Sequence, residues 1–145
     1  MWLTDGRRLK LLDAGILQVR HTDRVWEDDK SSQLYVAPEQ IQGMRLTKGC
    51  DNFLLGIMLY ESLTGIHPFE GQNAADSRVR ILADDPPLAS SIRPEISGRL
   101  DGILNKSLSK DPRQRYQSIS EFASDLRMAS LDNADVAAHA FVNKN

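Results

Sequence analysis

The sequence predicts a mainly α-helical domain of the α+β class with one small β-hairpin, on three observations. Residues 53–63 are apolar on nearly every face, the pattern of a helix buried inside a domain. Leu100, Ile103, Leu104 and Leu108, and again Ile119, Phe122, Ala123 and Leu126, recur at helical spacing. Asp5-Gly6, a turn dipeptide, separates two short apolar segments, Trp2-Leu3-Thr4 and Leu9-Lys10-Leu11-Leu12, which are the candidate strands.

The remaining elements follow in chain order. Residues 16–36 are rich in Asp, Ser, Arg and Gln without helical periodicity. They read as a loop longer than the roughly 12–15 residues beyond which a loop is usually functional or disordered. Asp51 stands where the N-cap of the apolar helix is expected, and Gly65 suits its C-terminal cap. His67-Pro68-Phe69-Glu70-Gly71 reads as a turn, and a polar helix follows over Asn73–Ala83, ended by Asp84-Asp85-Pro86-Pro87. The helix through Leu100–Leu108 must stop before Asp111-Pro112, because proline pushes its predecessor out of the α region. Ser118, with Glu121 three residues on, is a capping-box pattern opening a last helix. Weak patterning from Ser130 to Asn145 suggests a tail, so the domain is expected over residues 1–129 and the tail over 130–145.

Composition narrows the class of function. The chain has 145 residues, 41% hydrophobic and 26% charged, as an ordinary globular domain has. A formal charge of −2 gives no basic excess for nucleic acid or an acidic membrane surface. Cys50 has no second cysteine to pair with and suits a reducing compartment, and His21, His67 and His139 have no zinc-ligand spacing. Asp5, Arg7 and Arg8 precede any apolar run, so no signal peptide is expected, and the 53–63 stretch is too short to span a bilayer. A cytoplasmic protein is the expectation.

Short motifs carry more than composition does. Asp13-Ala14-Gly15 is followed by Ala37-Pro38-Glu39, then Asp51 five residues before Gly56, Pro68-Phe69, and Asp111-Pro112 leading to Arg115. Each motif alone is common. The ordered set, in the stretches RLKLLDAG, YVAPEQIQG, GIMLYESLTGIHPFEG and LSKDPRQRYQS, resembles the C-terminal lobe of a bacterial-type Ser/Thr protein kinase over residues 2–128.

The resemblance implies roles residue by residue. Asp13 matches the aspartate that binds Mg²⁺ at the ATP phosphates, a task suited to a hard carboxylate oxygen, and Gly15 would relieve backbone strain beside it. Ala14 departs from the family's usual Phe, whose packing helps set active and inactive states. Residues 13–39 would be the activation segment, with Thr22, Ser31 and Ser32 as candidate phosphosites. Glu39 and Arg115 match a buried ion pair, for which the planar guanidinium fork is suited. Asp51 matches the aspartate that begins the central buried helix.

The family's Gly-rich loop, its strand Lys paired with a helix Glu, and its HRD-type catalytic loop have no counterpart in the 145 residues. Matching without gaps places the start of this chain just past that machinery. The expectation is a partial, truncated kinase domain. The whole domain would transfer the ATP γ-phosphate to protein Ser or Thr, and this chain would be inactive alone, with a missing N-terminal half as one partner. A non-catalytic, pseudokinase-like binding module docking through residues 73–83 is the alternative. A small helical adaptor with accidental motif matches would lack a Glu39–Arg115 contact.

Overall fold

The computed structural model describes residues 2–4, 8–10 and 34–142 of the chain, with residues 2–4, 8–10 and 131–142 described by their backbone alone. Strands β1 (Trp2–Thr4) and β2 (Arg8–Lys10) pair antiparallel, with Trp2 opposite Lys10, Leu3 opposite Leu9 and Thr4 opposite Arg8. The Asp5-Gly6 turn expected to join them, and residues 16–33 of the expected loop, lie outside the described residues.

The second compact unit, from Leu34 onward, is helical. Helix α1 (Pro38–Ile41) is a single turn begun by Pro at its first position, with Gln40 Oε1 accepting the Ala37 N–H at 2.7 Å. Helix α2 (Lys48–Thr64) is the long apolar one. Its N-cap is Thr47, whose hydroxyl accepts the Gly49 N–H at 3.2 Å, and not Asp51. Asp51 lies within the first turn of the helix and is exposed. The hydroxyl at 47 satisfies a first-turn amide, so the helix starts earlier than the carboxylate suggested, and Asp51 is left to face the positive helix end. Gly65 closes α2 at a φ of 79°, where an L side chain would be strained, and its N–H bonds the Glu61 carbonyl at 2.8 Å.

Phe53, Leu54, Ile57 and Tyr60 are buried, which makes α2 the axis of the unit. It is not covered on every side: Met58 is 38% exposed. Helix α5 (Gly98–Ser107) lies against α2 at Gly56, where a β-carbon would come within 2.8 Å of Ser107 Cβ. Glycine is what permits the two backbones to approach. Helix α3 (Ala74–Ala83) is capped by Asn73, whose Oδ1 accepts the Asp76 N–H at 2.9 Å, and ends before the Asp-Asp-Pro-Pro run. A single turn, α4 (Ala89–Ile92), had no periodicity to announce it. It is tied to α5 by Asp101, whose carboxylate accepts the Ser90 N–H at 3.1 Å.

Helix α6 (Ile119–Val142) starts where the capping pattern placed it and runs through most of the segment expected as a tail. Ser118 Oγ accepts the Glu121 N–H at 3.1 Å, while Glu121 reaches back to the Gln117 N–H and not to that of Ser118. The expected stripe needs one correction. Ile119 is 49% exposed, because the first turn of α6 precedes the packed face, which begins at Phe122. Phe122 and Ala129 join Ile103 and Tyr116 in a core cluster flanked by Leu55, Leu59, Leu100 and Leu126.

Candidate functional site

Glu39 enters the interior because α1 turns it inward; the residue is 4% exposed. Arg115 follows a 3₁₀ turn (Pro112–Gln114), started by Asp111, whose Oδ1 accepts the Arg113 N–H at 2.9 Å. The structure brings these two side chains together. Arg115 Nη1 donates to Glu39 Oε1 at 2.8 Å and Nη2 to Oε2 at 2.9 Å, a bidentate pair. The other N–H groups reach carbonyls: Nη1 to Gly49 at 2.8 Å, Nε to Ser109 at 2.7 Å and Nη2 to Lys110 at 3.1 Å. A guanidinium has five N–H donors, and every one is engaged. The guanidinium carbon also lies 4.7 Å from the centroid of the Phe53 ring.

Glu39 Oε1 accepts a further bond from Cys50 Sγ at 3.1 Å. Burial pushes the Glu39 carboxyl up, but the bonds from Arg115 and Cys50 and the guanidinium charge outweigh it and hold the group below its ordinary value. Burial pushes the Cys50 thiol up. Cys50 is therefore a protonated packing residue and donor rather than a thiolate nucleophile.

A ring stack supports this node. Phe53 of α2 and Phe69 of the following turn lie nearly parallel, centroids 5.8 Å apart at 6°. Lys110 Nζ stands 3.9 Å from the Phe69 centroid and caps the end of α3, donating to the Ile81 carbonyl at 2.9 Å and the Arg80 carbonyl at 3.4 Å. Burial lowers the Lys110 amine to about 8.

A second bridge was not anticipated from sequence. The Tyr35 hydroxyl donates to the Glu61 carboxylate, across 26 residues. That bond, with burial and the carboxylate charge, raises the Tyr35 phenol to about 12. The available signal was Glu61 itself, an acid interrupting an otherwise apolar run. Local spacing could not name its partner.

Asp13, Ala14, Gly15, Thr22, Ser31 and Ser32 lie outside the described residues. Asp51, exposed on the first turn of α2, does not join the Glu39–Arg115 node. Among the described residues no three His, Cys, Asp or Glu side chains converge on a metal position. What the described residues build is a frame that fixes the backbone around Ala37-Pro38-Glu39.

A helical unit centred on a buried α2, with a Glu–Arg pair from far apart in the sequence clamping its first turn, defines the class of lobe. Residues 2–126 match the protein kinase domain. The chain belongs to the protein kinase domain family. It is 32% identical over 127 residues to the serine/threonine-protein kinase PrkC of Bacillus subtilis, covering 83% of this chain and 19% of that protein. It is 36% identical over 92 residues to the serine/threonine-protein kinase PknB of Mycobacterium tuberculosis, covering 63% of this chain and 15% of that protein. The chain thus spans less than a fifth of the length of these curated relatives. Among solved structures, the twitchin kinase region from C. elegans superposes with a TM-score of 0.58 at 23% identity, over 68% of this chain and 17% of that one. That likeness concerns the fold.

Proposed function

We propose that the chain is the C-terminal lobe of a bacterial-type protein serine/threonine kinase domain. The whole domain would transfer the γ-phosphate of ATP to a Ser or Thr hydroxyl of a protein substrate. The Glu39–Arg115 pair carries this reading: it joins, across 76 residues, the two motifs that the resemblance had paired. In this reading Asp13 binds Mg²⁺ at the ATP phosphates, Gly15 eases the turn after it, and Thr22, Ser31 and Ser32 are phosphosite candidates in the activation segment. Glu39 and Arg115 are structural.

The 145-residue polypeptide by itself is proposed to be inactive. Phosphoryl transfer is catalysed by positioning and by charge stabilisation. The sequence has no Gly-rich loop, no strand Lys paired with a helix Glu and no HRD-type loop to supply them. A cytoplasmic setting belongs to the same proposal, supported by a lone cysteine in a chain without basic excess. Among the described residues no helix is long and apolar enough to cross a membrane.

The test is purified chain with Mg-ATP labelled at the γ-phosphate and a panel of protein acceptors. No transfer is expected. Labelling that disappears in Asp13→Ala would overturn inactivity while supporting the role of Asp13.

A second reading, a non-catalytic pseudokinase-like binding module, is favoured by one observation. Val79 of α3 and Met44 beyond α1 are each 59% exposed, and α1 packs against α3. A stoichiometric partner lost in Val79→Glu would favour it, and the absence of any partner would count against it.

A further inference from the structure

We infer that His67 is an acid-operated latch on the segment leading into Pro38-Glu39. The inference goes beyond the kinase reading and does not depend on it. His67 follows the left-handed cap of α2 and is 7% exposed. Its Nδ1 accepts the Phe69 N–H at 3.1 Å, so the proton of the neutral ring resides on Nε2. Nε2 is buried and makes no well-formed hydrogen bond, with the Leu34 backbone the polar group close to the ring. The Tyr35 ring meets His67 edge-on, centroids 5.5 Å apart at 85°, and Phe69 stands at 6.3 Å and 70°.

The groups around the ring make two states available. Glu61 from α2, Glu70 from the same turn and the Leu34 carbonyl from the incoming segment all favour the cation. Burial disfavours it, and burial prevails, so His67 titrates below its ordinary value. In the neutral state the ring closes the turn through Phe69, and Tyr35 holds Glu61. A proton taken from solvent must occupy Nδ1, which can then no longer accept from Phe69. The imidazolium has two donors and turns toward Glu61, Glu70 and the Leu34 carbonyl. Glu61 is the acceptor Tyr35 already uses, so the cation competes with Tyr35 for it. Acid therefore opens the turn at 67–69 and loosens the hold on Tyr35 in one step.

The sign follows from the lowered value. A ring that is less basic folded than unfolded leaves the unfolded chain binding more protons in the interval between the two values. The closed latch is complete above the ordinary value of 6.5 and is lost as pH falls through the lower folded one.

Hydrogen exchange of the full chain, read by NMR from pH 7.5 to 5 and divided by the intrinsic rate, tests the latch. In the wild type, protection of the Phe69 amide should fall by up to roughly tenfold per pH unit as pH drops from 6.5 to the ring's own pKa, read from the His67 Cε1–H resonance, and level off below it. His67→Asn puts a non-titrating acceptor where Nδ1 was, and its Phe69 protection should stay flat across the range. His67→Phe has no acceptor and should show low protection throughout. Amides of α5 report global unfolding. Equal pH profiles in wild type and His67→Asn would overturn the latch. So would a ring that titrates while Phe69 protection holds, or a ring that stays neutral to pH 5. If His67→Phe fails to fold, the wild type and the Asn variant still decide.

Discussion

Replacing Arg115 with Met keeps much of the stem and removes the fork. Glu39 is then left at 4% exposure with only the Cys50 thiol as a side-chain donor, and the carbonyls of Gly49, Ser109 and Lys110 lose the guanidinium. Removing one partner of a buried ion pair costs about 3–5 kcal/mol, and three abandoned carbonyls place this site toward the upper end. A domain of ordinary stability has about 5–15 kcal/mol in total, so a third or more should be lost. With a urea m-value of about 1–3 kcal/mol/M, the midpoint by circular dichroism at pH 7 should fall by more than ~1 M. The pH dependence should reverse as well. In the wild type the Glu39 carboxyl is held below 4.5, so its contribution is complete above that value and is lost as pH falls through the lower folded one. In Arg115→Met burial acts unopposed by the guanidinium and raises the carboxyl, so the deficit should shrink as pH falls from 7 toward 4. A midpoint within ~0.3 M of wild type at pH 7, or a deficit that grows in acid, would refute the reasoning.

Thr47→Ala should cost about 1 kcal/mol as a lost N-cap, and Asp51→Ala less than about half that; chemical denaturation of the two variants decides which residue caps α2. Gly56→Ala adds a methyl 2.8 Å from Ser107 Cβ and should destabilise by about 1–3 kcal/mol despite the better helix propensity of alanine; a raised melting temperature would show that α5 can move aside. Phe69→Ala should cost about 3–5 kcal/mol, because its ring is buried in the stack on Phe53 and under Lys110; a urea midpoint like that of wild type would remove the stack from the frame.

Some of the fold was legible because its causes are local. Gly65 and Asn73 act within one turn of themselves, and Pro112 by sterics alone requires α5 to have stopped before Asp111, as it does at Ser107. The N-cap of α2 misled because Asp51 is as good a cap type as Thr47, and only the position of the first buried turn separates them. Ile119 misled because periodicity marks a face but not where along the helix packing begins. The site divides in the same way. Glu39 and Arg115 lie 76 residues apart, so no spacing could pair them and only the motif resemblance did. Tyr35 with Glu61, Cys50 with Glu39, and Lys110 over Phe69 are contacts made by tertiary packing, with no motif to announce them.

A double-mutant cycle on Glu39→Gln and Arg115→Met, read by urea denaturation at pH 7, asks most directly whether these two residues hold the lobe together. Each single variant should be strongly destabilised and the double variant much less than their sum, with a coupling energy of about 2–3 kcal/mol. Additive losses within about 0.5 kcal/mol would mean that the two side chains do not act as a pair, and the frame built on them would fall.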